Sequence, residues 1–178
     1  MTPLMHKLAR LNGTIDTFSE WTGHAISWLT LFMVIVTFLV VVLRYAFNMG
    51  WIAMQESILY MHAVVFLVAT AYTLKRDGHV RVDIFYREMR PKARALVNLF
   101  GTLLFLFPTC GFIFWVSWRY VAESWAVLEG SREAGGLPGV FLLKTVILVM
   151  ALQVFLQGVS EALRSILILA GHGHEKAD

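Results

Sequence analysis

The stretch His24–Leu43, HAISWLTLFMVIVTFLVVVL, decides the fold. It contains no Lys, Arg, Asp or Glu. At about 1.5 Å per helical residue it covers roughly the 30 Å of a bilayer's hydrocarbon core. Three more apolar runs follow, at 51–74, 95–118 and 138–160, the last interrupted by charge only at Lys144. Each is long enough to cross as a helix. Helices are expected because an open strand would leave backbone groups unpaired in lipid. The reading is an all-α integral membrane protein, a four-transmembrane-helix bundle that forms one domain over residues 1–178.

Composition agrees. Of 178 residues, 58% are hydrophobic and 15% charged, against roughly a quarter charged in a soluble domain. A soluble chain of this length cannot hide so much apolar surface. This excludes a soluble enzyme, a disordered tail and a nucleic-acid-binding domain. The single cysteine, Cys110, excludes an intrachain disulfide and a two-cysteine redox motif and reads as a packing residue. The first run starts too far into the chain, is too long, and lacks a small-x-small cleavage site, so it reads as a retained anchor rather than a signal peptide.

The flanks carry the charge. Leu4, Leu8, Leu11, Ile15 and Phe18 recur at helical spacing, with Lys7, Arg10, Thr14 and Thr17 on another face. Residues 4–21 are therefore expected to form an amphipathic helix in the headgroup region, before the chain turns into the first span. Lys75, Arg76, Arg81, Arg87, Arg90, Lys92 and Arg94 crowd between the second and third spans, whereas Arg44 stands alone between the first and second. The positive-inside rule places both termini and the second loop in the cytoplasm. Trp51, Trp115, Trp118 and Trp125 then fall at the outer interface, and Trp21 and Trp28 at the inner one. Residues 171–178, with His172 and His174, read as a flexible tail.

Few polar residues lie near membrane depth. Arg44 and Glu56 flank one short loop and either pair or snorkel separately. Lys144 either snorkels to the outer surface or meets a carboxylate, which a subunit interface would supply. Gln153, Gln157, Glu161 and Arg164 share one face of the fourth span, and Asn98, Thr102 and Thr109 form a weaker stripe on the third. Such stripes usually fasten helices together. Pro108 is expected to kink the third span. No repeated halves, nucleophile–base constellation, phosphate loop or zinc spacing is visible, so no residue is assigned a catalytic, cofactor or metal role. Two rivals to an accessory membrane subunit stay open. One is a haem-binding membrane anchor using His62 and Met150, which lie at similar depth in the second and fourth spans. The other is a stand-alone membrane assembly protein.

Three loop motifs carry a resemblance. Arg44-Tyr45-Ala46-Phe47-Asn48 with Trp51 and Glu56 is one. Phe66 through Ala71-Tyr72, followed by His79-Val80-Arg81-Val82-Asp83, is the second. Ser124-Trp125, Glu129, Ser131 and Gly135-Gly136-Leu137-Pro138 are the third. In this order and spacing they resemble the small membrane subunit (DctQ-like) of tripartite ATP-independent periplasmic (TRAP) transporters. Gln55 departs from the family pattern, which places a second acid beside the Glu, and puts any paired-carboxylate role there in doubt.

The resemblance implies an accessory subunit of the bacterial inner membrane. It would support a large multi-span subunit that carries solute and sodium, with a periplasmic solute-binding protein delivering an organic acid. On that basis Gly135 and Gly136 supply a turn, and Pro138 opens the fourth helix as its first residue. His79, Arg81 and Asp83 alternate, so an extended stretch points all three one way. They are expected to fasten the inner loop or touch the large subunit.

Overall fold

The computed structural model describes residues 3–80 and 84–171. Its helices are α1 (Pro3–Ala46), α2 (Ile52–Lys75), α3 (Pro91–Gly101), α4 (Phe107–Ala126) and α5 (Val140–Leu169), with a π-helical turn, Thr102–Leu106, joining α3 to α4. Four helical runs, 7–46, 52–75, 91–126 and 140–169, are long and apolar enough to cross a membrane. Arg81, Asp83 and the tail from His172 onward lie outside the described residues; His79 is exposed beside the gap.

The amphipathic segment does not turn into the first span; both belong to the single 44-residue helix α1. At about 1.5 Å per residue that helix is roughly 66 Å long, twice a hydrocarbon core. A third face explains why the helix continues unbroken. Asn12, Asp16 and Ser19 point at α5 rather than at a lipid surface. At its other end α1 stops where Phe47 and Met49 both donate backbone N–H groups to Leu43. Asn48 between them takes φ 54°, a left-handed conformation that Asn tolerates better than most residues.

The third span is a continuous run with a local defect. Pro108 has no N–H, and its ring would press on the carbonyl four residues back. The preceding turn relieves this by widening, so that Phe107 N–H bonds Thr102 one residue further back than in an α-helix. Gly158 of α5 lies opposite. A Cβ there would stand 2.9 Å from the Phe107 ring. The glycine therefore admits the widened turn against α5.

α5 is the central helix. It packs on α1, α2, α3 and α4, whereas α4 meets neither α1 nor α2 among the described residues. Ala71, Cys110 and Val154 form the core, with Leu74, Leu106 and Met150 around them. Met150 thus points into the bundle while His62 lies on the exposed outer side of α2. The two do not converge as haem ligands. Period explains why: equal depth on two helices says nothing about facing.

Candidate functional site

The helices alternate in direction, so the bundle has a loop end (residues 46–52 and 126–140) and a termini end. Each end is closed by a polar clasp.

At the termini end the clasp is built on Asp16. Its Oδ1 accepts from Ser160 Oγ at 2.6 Å and Gln157 Nε2 at 3.0 Å, and its Oδ2 from Arg164 Nη2 at 2.5 Å. Gln157 and Ser160 are fully buried. Ser19 Oγ donates to Gln157 Oε1 at 2.6 Å, and Ser160 also bonds Asn12. The network then crosses to α3. Arg164 Nη1 reaches Glu161 at 3.1 Å, Asn98 Nδ2 donates to Glu161 at 3.3 Å, and Tyr86 Oη donates to Asn98 at 3.0 Å. On the α2 side, Glu20 holds Lys75 at 2.6 Å and also pairs with Arg76. Two neighbouring sets of side chains therefore tie the helices, one joining α1 to α5 and α5 to α3, the other joining α1 to the end of α2.

Its depth follows from length. Twenty helical residues cover about 30 Å. Counted from the loop end, this reaches about residues 26, 72, 106 and 160 on the four runs. Every ion pair of this clasp lies beyond those positions. On this count the far ends of α1, α2 and α5 carry the ionised groups past the hydrocarbon length, where pairing them is far cheaper.

At the loop end the clasp is built on Glu56 and Glu129. Glu56 accepts the Leu137 N–H at 2.7 Å and the Ser131 hydroxyl. Gly136 is required there: a Cβ would stand 2.8 Å from Glu56 Oε2 and closer still to Ser131. Gly135, at φ 80°, makes the turn that turns the Leu137 N–H toward Glu56. Glu129 accepts from Ser124 Oγ at 2.7 Å and pairs with Lys144, whose Nζ lies 4.0 Å above the Tyr120 ring. These bonds hold Glu129 below the usual carboxylate value, the Lys144 hydrogen bond first and the Ser124 hydroxyl second. Leu128 takes φ 46°, a costly value for a side chain of this kind, and so turns the chain back for the Glu129 N–H to cap Ser124 O at 3.0 Å. Trp125 Nε1 donates to Thr145 at 2.8 Å, and its ring meets Phe141 edge-on.

Glu56 is taken by the loop 131–137, and among the described residues no ion pair joins it to the exposed Arg44. The reason is local: backbone N–H and hydroxyl donors of that loop lie closer than a flexible guanidinium on another helix. Lys144 meets a carboxylate of its own chain, not of a subunit interface. Pro138 does not open the last helix. α5 starts at Val140, because Leu137 is fastened by N–H to Glu56 and by its carbonyl to Ser131 N–H. Gln157, Glu161 and Arg164 join the termini-end clasp; Gln153 is buried, and its Oε1 has no hydrogen-bond partner among the described residues. His79 is exposed, and Arg81 and Asp83 lie outside the described residues.

Sequence reasoning missed Asn12, Asp16, Ser19 and Glu20. A signal was present: Asn12, Asp16 and Glu20 repeat every four residues, as Gln153, Gln157 and Glu161 do. Two polar stripes of the same period on different helices are natural partners.

This arrangement is chemically a fastening. Its carboxylates are spent on hydroxyls, amides and cations of neighbouring elements, and among the described residues no group of three His, Cys, Asp or Glu side chains is placed to hold a metal ion. No curated protein and no solved structure matches the chain. A family model does match, over residues 33–167. The matched region includes the whole loop-end clasp and the α5 half of the termini-end clasp, and it begins after Asp16 and Glu20. It describes the DctQ component of tripartite ATP-independent periplasmic transporters, and the chain belongs to that family.

Proposed function

We propose that this chain is the accessory small subunit of a sodium-coupled TRAP transporter that imports an organic acid. It holds the larger, solute-carrying membrane subunit in a working arrangement and binds no solute itself. A periplasmic binding protein delivers the solute. The subunit sits in the bacterial inner membrane with both termini and the Arg- and Lys-rich loop in the cytoplasm. Family membership supports the transport setting. The observation that carries the accessory role is the termini-end network, in which Asp16, Gln157, Ser160, Glu161 and Arg164 satisfy one another. Polar groups that line a solute path must exchange partners during transport, whereas these have the geometry of fixed struts. The cation count of the loops supports the orientation.

Copurification and uptake test the reading together. Tagged chain expressed with its genomic neighbours is expected to bring down a much larger multi-span protein in mild detergent. Deleting it is expected to abolish sodium-dependent uptake of one organic acid, while purified chain alone shows no binding of that acid. Uptake that survives deletion would refute the proposal.

A further inference from the structure

α2 is 24 residues long, and His62 lies about 15 Å from its first residue, near the centre of a 30 Å core. It is exposed, on a stripe with Leu59 (65% exposed) and Phe66 (70%). Its imidazole stacks on the Phe66 ring, with centroids 6.3 Å apart. Among the described residues it has no hydrogen-bond partner.

Other polar side chains on the bundle's surface solve this problem locally. Thr37 returns its hydroxyl to the Met33 carbonyl at 2.7 Å, and Thr70 to the Phe66 carbonyl at 3.0 Å. A hydroxyl on Cβ reaches the carbonyl one turn back. The imidazole ring projects away from the helix, and from mid-depth its short side chain cannot snorkel to water. Ionisable residues at such depth almost always face protein or a water-filled cavity rather than lipid. Apart from the self-bonded Thr37, mid-depth positions such as Val34, Ile35 and Phe38 on α1 or Phe112 and Trp115 on α4 face outward with aliphatic and aromatic groups.

We propose that Leu59, His62 and Phe66 form a docking surface for one transmembrane helix of the larger membrane subunit. That helix supplies a hydrogen-bonding polar group opposite His62. The inference rests on the accessory-subunit reading above and adds to it the face used and the chemistry of contact. Leu59 and Phe66 give apolar packing above and below one buried polar pair, the usual composition of an interhelical contact in lipid.

The test uses the full chain coexpressed with its large partner in native membranes. A photoreactive phenylalanine analogue is placed singly at Leu59 or Phe66, and at Phe112 on α4 for comparison. Labelling of the large partner from Leu59 and Phe66, at least several-fold above that from Phe112, is expected. His62→Leu is expected to weaken the complex about 3- to 20-fold, and His62→Gln, which keeps a donor and an acceptor, to recover much of that loss. Labelling confined to Phe112, to lipid or to a second copy of this chain would overturn the proposal. So would equal complex strength in His62→Leu and the parent. If the parent chain brings down no large partner at all, the accessory reading fails first, and the docking surface fails with it.

Discussion

Replacing Asp16 by Ala tests whether the N-terminal third of α1 is a structural strut or a passive leader. The change removes the acceptor of three hydrogen bonds, from Ser160, Gln157 and Arg164. Gln157 and Ser160 are wholly buried and have no route to bulk water. Arg164 keeps Glu161, so its charge is not left entirely alone. Breaking a buried pair by removing one partner costs about 3–5 kcal/mol. The Arg164 and Asp16 side chains keep 15% and 17% exposure and Arg164 keeps Glu161, so the expectation sits at the lower figure, about 3 kcal/mol. For a chain of this size each kcal/mol moves a midpoint by about 2–4 °C. The thermal midpoint of the detergent-solubilised protein, read by loss of its monodisperse peak, should therefore fall by roughly 6–12 °C. Asp16→Asn keeps one acceptor oxygen and should lose about half as much. A cycle with Arg164→Met isolates the ion pair: the double variant should be clearly less impaired than the sum of the singles. Lys7→Ala, on the exposed face of the same helix, should stay within about 0.5 kcal/mol. A fall of less than about 2 °C for Asp16→Ala, or additive effects with Arg164→Met, would refute the reasoning.

Three further outcomes follow from the two clasps and the π turn. Glu56→Ala frees the Leu137 N–H and the Ser131 hydroxyl, so limited proteolysis should cut within 131–137 far faster than in the parent; reversing Arg44 at the same time should not restore resistance, because Arg44 is not the partner. Glu129 is ordinarily a 4.5 carboxylate and is lowered by Lys144 and Ser124 in the fold, so its contribution is complete above about pH 4.5 and is lost as pH falls through the lowered value. Lys144→Met should flatten that acid limb of a melting-temperature profile, and an unchanged limb would count against the pair. Gly158→Val drives a side chain into Leu106 and Phe107 of the opposite run and should destabilise by about 1–3 kcal/mol, measured by the same melting assay, whereas Gly13→Ala, in open space, should be neutral or slightly stabilising.

The sequence by itself determined the spans, because lipid imposes a length and a polarity that can be counted residue by residue. It also determined that Gln157, Glu161 and Arg164 share a face, since a helix repeats at a fixed period. Where facing between helices mattered, the count ran out. Arg44 and Glu56 are neighbours along the chain, yet Glu56 turns to a loop 75 residues further on. His62 and Met150 match in depth, yet one points outward and the other into the core. Lys144 looked short of a partner until the turn at Leu128 brought Glu129 beside it. Only the tertiary structure decided these pairings, because helix rotation and loop path set which polar groups meet, and neither leaves a periodic trace. The amphipathic leader shows the limit most clearly. Its two visible faces suggested a membrane surface, while the face that matters, Asn12, Asp16 and Ser19, was defined by a helix some 140 residues away.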